Sequence, residues 1–334
     1  MREFGFQWHV TDRCDGSCAH CYQSDFTSAR ELGLDGLVDV AGRVLGGLRD
    51  HRVSINVTGG EPFLLPCLPD LLGALHRHEG LDEVNVITNG TIADRAVLDA
   101  LAALPKLGCF KISIEGGARE IDDALRWPGH FDAVMRNLPL FLATGRPVVL
   151  ILTLSRRNAA SIAAAVELAR ERGASGVIFE RFVPLGRGAA MRGDLLGPRE
   201  WSAAASAIAA AAGVDAEPGD LLAHRAFWLD TSPDADEPLS GALCNLGPDS
   251  MCLMPDGTVY PCRRLPIAVG NVLEEPFAAI RARLAAWAPD AIRPRLSGPR
   301  CAACDLPGCT GCRALASAVS GDPLADDPQC ALFS

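Results

Sequence analysis

Residues 6–21 read Phe6-Gln7-Trp8-His9-Val10-Thr11-Asp12-Arg13-Cys14-Asp15-Gly16-Ser17-Cys18-Ala19-His20-Cys21. The first six alternate apolar Phe6, Trp8 and Val10 with polar Gln7, His9 and Thr11, the period of a strand whose two faces meet different surroundings. Cys14, Cys18 and Cys21 follow at once, so they are expected on a loop at the strand's C-terminal end, where α/β barrels carry their chemistry. Three thiolates on one short loop can hold three irons of a 4Fe-4S cube and leave the fourth iron without a protein ligand. A three-cysteine zinc site is the competing reading; structural zinc normally closes its shell with a fourth ligand of recognisable spacing, and none lies nearby. Asp12 and Arg13 flank the loop and are read as solvated.

Outward from this loop the strand pattern recurs. Val53–Thr58, Val84–Asn89, Phe110–Glu115, Val148–Leu154 and Val177–Val183 are β-rich, and amphipathic or Ala-rich stretches follow each of the six runs. Such alternation makes the fold α/β with parallel pairing. In one helix, Asn158–Arg172, Asn158 is the expected N-cap and Gly173 the stop. Polar residues alternate on several strands: Ser54, Asn56 and Thr58; Asn85 and Asn89; Lys111, Ser113 and Glu115. Val53, Ile55, Val57, Ile112 and Ile114 between them would face outer helices. A polar inner face suggests a lumen filled by cofactor, substrate and water; a half-solvated sheet is the alternative, though parallel sheets are seldom exposed. Past Val183 the pattern loosens: Pro198–Ala212 reads as a helix and Asp215–Pro238 as acidic and irregular. Met251–Pro261 reads as a hairpin turned at Asp256-Gly257. The expected division is therefore 1–200, a linker over 201–240, and a cysteine-rich unit over 241–334.

Length and composition agree with an ordered protein of this size: 334 residues, 49% hydrophobic, 22% charged and without an apolar run near the ~18 residues of a membrane span. A net charge of −10 disfavours nucleic acid as a partner. The start has no secretory pattern, so a cytoplasmic location is expected. There 13 cysteines point to metal or redox work rather than disulfides. Only Cys67 and Cys109 stand alone, and both read as buried inert thiols.

With Tyr22 directly after the Cys-x3-Cys-x2-Cys loop and Thr58-Gly59-Gly60-Glu61-Pro62 closing the second strand, the chain resembles the radical S-adenosylmethionine superfamily. The resemblance implies a partial (β/α)6 TIM-like barrel. In it the open iron of the loop's cluster chelates S-adenosylmethionine, and one electron cleaves the cofactor to methionine and a 5'-deoxyadenosyl radical that abstracts hydrogen from substrate. By the same resemblance Gly59, Gly60 and Glu61 approach the methionyl amino group. Ser113 and Glu115 lie beside the ribose or carboxylate, and Arg126 pairs with the carboxylate. Asn89 and Phe182–Leu185 are candidates for the adenine side. The family's Ser-x-Asp-Gly, His-Asp and Arg appear here as Ser113-Ile114-Glu115-Gly116, Ile121-Asp122 and Arg126.

Cys244, Cys252, Cys262, Cys301, Cys304, Cys309, Cys312 and Cys330 resemble the SPASM extension of that superfamily, which binds two auxiliary 4Fe-4S clusters and brings the implied total to three. Family analogy assigns Cys244, Cys252, Cys262 and Cys312 to one cluster and Cys301, Cys304, Cys309 and Cys330 to the other. A zinc ribbon built on Cys301-x2-Cys304 and Cys309-x2-Cys312 is the alternative. The architecture implies an oxidoreductase that modifies a ribosomally made peptide or small protein, for example by a crosslink or thioether. Its expected partners are a reducing donor such as flavodoxin or ferredoxin and, because only 13 residues precede Cys14, a separate leader-recognition protein. Three other functions compete: a radical dehydrogenase or decarboxylase on a small molecule or tetrapyrrole; a sulfatase-maturating enzyme, disfavoured by Arg263 where that group has an aspartate; and a non-catalytic electron carrier or zinc adaptor.

Overall fold

The first strand, β1, spans Arg2–His9 and lies parallel to β2, His51–Thr58, in register from Arg2 opposite His51 to His9 opposite Thr58. The computed structural model describes residues 2–216, 221 and 223–333 of the chain. Strands β3 (Leu81–Thr88), β4 (Leu107–Ser113), β5 (Val148–Leu154) and β6 (Gly176–Arg181) continue the parallel series one neighbour at a time. Between them run helices α1 (Leu34–Gly46), α2 (Leu68–Leu75), α3 (Arg95–Ala102), α4 (Arg119–Leu125), α5 (His130–Leu142) and α6 (Ile162–Arg172). The apolar face of the alternation is the core: Phe6, Trp8, Val53, Ile55, Val57, Ile112 and Ile114 are all buried. Parallel strands with the helices banked on one side form a partial barrel, and the polar strand positions are left to its inside.

Two departures from the sequence reading have identifiable causes. The helix expected from Asn158 begins at Ile162 after a short 3-10 turn, because Asn158 does not cap it. Its amide instead donates to the carbonyls of Glu115 and Thr153, and its Oδ1 accepts from Ser155 N, tying the ends of β4 and β5 together. The stretch read as irregular over 215–238 contains β7, Ala226–Asp230, antiparallel to β6, while residues 217–220 and 222 lie outside the described residues. Buried Phe227 and Leu229 draw β7 onto the sheet, and Phe227 stacks at 6.0 Å on Trp201 of α7, Pro198–Ala211. Strand β8, Leu239–Ala242, follows antiparallel to β7.

The hairpin forms as expected from β9, Ser250–Leu253, and β10, Thr258–Tyr260, and Gly257 takes the left-handed φ of +83° that the turn requires. It does not stand apart: β9 pairs parallel with β1, Gly5 opposite Ser250 through Trp8 opposite Leu253. With β11, Gly270–Asn271, the result is one sheet of 11 strands in the order β11-β10-β9-β1-β2-β3-β4-β5-β6-β7-β8. It is open, because β11 and β8 end the ladder rather than meeting. Among the described residues no helix is long and apolar enough to cross a membrane.

Since Phe227 is 1% exposed between α7 and the sheet, Phe227→Ala should cost about 3–5 kcal/mol. Urea unfolding checks it, and a loss under about 1 kcal/mol would show that β7 is peripheral to the core.

Candidate functional site

Two backbone hydrogen bonds fix the loop after β1: Gly60 N donates to Thr11 O at 2.9 Å and Glu61 N to Arg13 O at 2.8 Å. The approach excludes any side chain, since a Cβ on Gly59 would lie 2.3 Å from Thr11 O and one on Gly60 2.1 Å from Arg13 O. The glycine pair therefore clamps the segment that leads into Cys14. Asp12, read as solvated, is 1% exposed and holds Arg30 at 2.7 Å, because the clamp turns it inward. Arg13 is half-buried and pairs with Glu31 at 2.8 Å.

Beyond the clamp Cys14, Cys18 and Cys21 line one wall of a cleft at the C-terminal ends of the strands. Each sulfur receives one donor: Gly16 N to Cys14 Sγ at 3.3 Å, Arg126 Nη1 to Cys18 Sγ at 3.5 Å and Gln23 N to Cys21 Sγ at 3.4 Å. Burial pushes the Cys14 thiol up to about 12 and the other two above their ordinary value. The donors already aimed at these sulfurs suit the charge that an iron–sulfur cluster spreads onto its ligands.

The expected cofactor contacts divide into two tiers. Tyr22, Gly59, Gly60, Asn89, Ser113 and Arg126 are on the cleft wall, as are Phe182 and Val183. Glu61 and Glu115 stand behind it, each 0% exposed. Glu61 accepts from Phe63 N, Thr88 Oγ1 and Asn89 N at 3.0, 2.8 and 2.7 Å. Burial still pushes its carboxyl up to about 7. Glu115 pairs with Arg126 at 2.5 Å and His20 at 3.0 Å and accepts from Thr153 N at 2.9 Å. Burial opposes its ionisation, but His20 and Arg126 outweigh burial and hold the carboxyl below its usual range.

Several members of the site were not singled out from sequence. His20 sits inside the cysteine motif, a signal that was available. His130 gave none: it lies eight residues past Asp122 on the next helix, yet its Nδ1 is 2.5 Å from Asp122 Oδ2 and its Nε2 3.0 Å from Asn89 O. Asp122 also accepts from Glu115 N at 2.7 Å. Asp15 accepts from Asn89 Nδ2 at 2.7 Å, so the cysteine loop and the end of β3 hold each other. Near the mouth Tyr22 OH and His9 Nε2 are 3.3 Å apart; burial lowers His9 to about 3, leaving a neutral ring in the lumen.

Of the eight later cysteines, Cys244 precedes β9, Cys252 is on it, Cys262 follows β10, and the other five lie further along the chain, Cys301 in a short helix. Cys301 Sγ accepts from Asp327 N at 3.3 Å, and Cys309 Sγ from Arg225 Nη2 at 2.9 Å and Gly311 N at 3.5 Å. Asp327 also accepts from Cys312 N at 2.8 Å and pairs with buried Arg181 at 3.0 Å. The cleft reaches this region through Arg263 and Arg264, which follow Cys262. Cys109 is buried against Asn85 as expected, whereas Cys67, also expected to be buried, is half-buried against the core.

Residues 8–169 match the Radical SAM superfamily, and residues 244–305 match SPASM, described as an iron-sulfur cluster-binding domain. PqqA peptide cyclase of Ruegeria pomeroyi is 30% identical over 96% of this chain and 85% of its own. The chain belongs to the radical SAM superfamily. It is also 26% identical to the AdoMet-dependent heme synthase of Methanosarcina barkeri, over 97% of this chain and 95% of that one. Native anSMEcpe with bound AdoMet shares the fold at a TM-score of 0.72 and 18% identity, covering 98% and 94% of the two chains. The protein is thus a radical SAM enzyme with a SPASM extension: S-adenosylmethionine and a 4Fe-4S cluster are its cofactors, and its SPASM part binds iron–sulfur clusters.

The Glu61 carboxyl gives a pH signature. Its folded value of about 7 stands above the ordinary 4.5, so its contribution to stability is full below pH 4.5 and is lost as pH rises through 7. Wild type should lose about 3 kcal/mol relative to Glu61→Gln across that window, measured by urea unfolding at stepped pH. Parallel pH profiles for the two proteins would refute it.

Proposed function

We propose that this radical SAM enzyme oxidises a ribosomally made peptide or small protein held in the cleft. The observation that carries the reading is that one cleft is walled by the three loop cysteines at one side and by Arg263 and Arg264, next to Cys262, at the other. A substrate between them is within reach of both redox ends. When bound, the cofactor and its cluster supply the hydrogen-abstracting radical. The chain's residues do the rest: Gly59 and Gly60 hold the loop, Arg126 presents a guanidinium to a carboxylate, and Tyr22, Asn89 and Ser113 line the cofactor's place. Glu61 and Glu115 set Asn89 and Arg126 from behind. The apolar portions of the wall, Ile87 and Ile151 among them, exclude water from the reacting carbon.

In this reading the later cysteines fill two shells and the chain carries three clusters. Cys244 lies in the electrostatic neighbourhood of Cys262 and Cys312, Cys252 in that of Cys262, and Cys330 in that of Cys301 and Cys309. That grouping supports the crossed ligand sets, Cys244, Cys252, Cys262 and Cys312 against Cys301, Cys304, Cys309 and Cys330. A shell of four thiolates leaves no site for substrate, so its task is to take the electron left after abstraction. A flavodoxin or ferredoxin in the cytoplasm would supply the first electron, and a separate protein would present the peptide's leader. A second reading, a radical dehydrogenase or decarboxylase on a tetrapyrrole or other carboxylic acid, is favoured by one observation, the cations of the lumen, and by similarity to a heme synthase over nearly the full length of both chains.

Anaerobically reconstituted protein should hold about 12 irons, falling to about 8 when Cys14, Cys18 and Cys21 are all changed to Ala. Stoichiometric zinc with little iron would overturn the assignment. Deuterium at the attacked carbon of a cognate peptide should appear in 5'-deoxyadenosine, and the peptide should lose two hydrogens by mass spectrometry. A product of unchanged mass would point to epimerisation, and loss of carbon dioxide to the second reading.

A further inference from the structure

Arg263 and Arg264 line the cleft beside the Glu180 carboxylate, and Lys111 on β4 stands within electrostatic reach of the same carboxylate. Arg263 is satisfied: it pairs with Glu180 and donates to Gln7 Oε1 at 2.9 Å. Arg264 and Lys111 are not matched by any acid. Arg264 Nη1 donates to the backbone carbonyl of Arg181 at 2.6 Å, and Lys111 Nζ to the amide oxygen of Asn56 at 2.8 Å, both neutral acceptors. Among the described residues neither has a carboxylate oxygen within ion-pair distance, whereas two other arginines that line the cleft do, Arg126 on Glu115 and Arg181 on Asp327. Lys111 also lies 5.5 Å over the Trp228 ring, which reaches in from β7.

We infer that the inner part of the cleft is a receptor for a carboxylate carried by the substrate, with Arg264 as its cationic contact, the Arg263–Glu180 pair as its frame and Lys111 adding positive charge nearby. The inference rests on the reading of this cleft as the substrate chamber and adds the chemical class of what enters it. Glu180 shows how close the cations stand: burial opposes its ionisation, yet Arg263, Arg264 and Lys111 together hold its carboxyl below the ordinary range. Glu180 is thus ionised, and the group retains an excess of two positive charges inside a chain whose net charge is −10. An unpaired cation in a partly dry chamber is unfavourable until an anion arrives, so the excess favours a charged ligand over a neutral one. Arg264 keeps a planar fork whose remaining N–H groups match the two oxygens of a carboxylate. Ile87 and Ile151, which line the same cleft, fit a carboxylate on a hydrocarbon arm better than inorganic phosphate.

Such a carboxylate has three sources, a Glu or Asp side chain, a peptide C-terminus or a propionate arm, and one binding experiment separates them. The probes are acetyl-Gly-Glu-Gly-amide, acetyl-Gly-Gln-Gly-amide, acetyl-Gly-Gly-Gly with a free C-terminus, coproporphyrin III and inorganic phosphate. They are titrated calorimetrically into the anaerobic holoenzyme saturated with S-adenosylmethionine. At least one acid should bind about tenfold or more tightly than its neutral counterpart, the glutamine peptide or the porphyrin tetramethyl ester. Arg264→Gln should remove about tenfold of that affinity, and Arg264→Lys, which keeps the charge, should restore part of it; iron content and circular dichroism verify that both variants fold. The acid that binds identifies the source, and binding by coproporphyrin III alone would retain the receptor while overturning the peptide reading. Equal binding of acid and neutral probes, tighter binding of phosphate, or no effect of Arg264→Gln would overturn the receptor and leave the chamber standing. An equal loss of S-adenosylmethionine affinity in Arg264→Gln would overturn it too, by assigning the carboxylate to the cofactor. If no probe binds and none competes with a cognate substrate, both readings fall.

Discussion

The contact between Gly59-Gly60-Glu61 and Thr11-Asp12-Arg13 is the constraint on which the rest of the site depends. Backbone meets backbone there at hydrogen-bond distance, with no room for a Cβ on either glycine. Because the two segments close adjacent parallel strands, the clamp converts strand register into the position of Cys14. Glu61 then carries the same constraint one strand further, since its side chain binds the end of β3 at Thr88 and Asn89. Asn89 returns to the cysteine loop through Asp15, closing a ring of contacts around the first redox centre. Few members of this ring touch solvent, so its geometry is set by the protein before any cofactor arrives.

The same logic links the two halves of the molecule. Pairing of β9 on β1 makes the hairpin that ends at Cys262 an extension of the barrel's own sheet, and Arg263 beyond it crosses the lumen to Gln7 on β1 and Glu180 on β6. Asp327 acts similarly at the far side, accepting from Cys312 N, donating its own N–H to Cys301 and holding Arg181 at the end of β6. Later cysteines and barrel strands are therefore spaced by hydrogen bonds and buried ion pairs rather than by a tether.

Much of this was legible in the sequence because it follows periodicity. Alternation along β1 to β4 separated the faces that became core and lumen, and the cysteine spacing together with Gly59-Gly60 pointed to the mouth. What escaped has physical reasons. The five residues of β7 are too short to establish a period, and their burial is decided by Trp201 on another element. Asn158 looks like a cap by residue type, but two carbonyls of neighbouring strands compete for its amide and win. His130 reaches Asp122 only because α4 and α5 fold against each other, which no local pattern encodes. Glu61 and Glu115 were expected at the cofactor and stand behind the cleft wall instead, because whether a carboxylate lines a cavity or supports its wall depends on donors from separate elements, here the end of β3, β5 and the cysteine loop.

The missing seam between β11 and β8 matters for motion as well as shape. A closed barrel has its bore fixed by continuous backbone hydrogen bonding, so widening it means tearing a ladder. Here the ladder simply ends at both rims, and the contacts across the interior are made by side chains such as Lys111 with Trp228 and Arg263 with Glu180. Parting the rims would therefore leave every strand pair intact, and what opposes it is side-chain contact: these pairs, the buried Arg181–Asp327 pair and the packing of Val183 and Leu185 on Leu265 and Leu315.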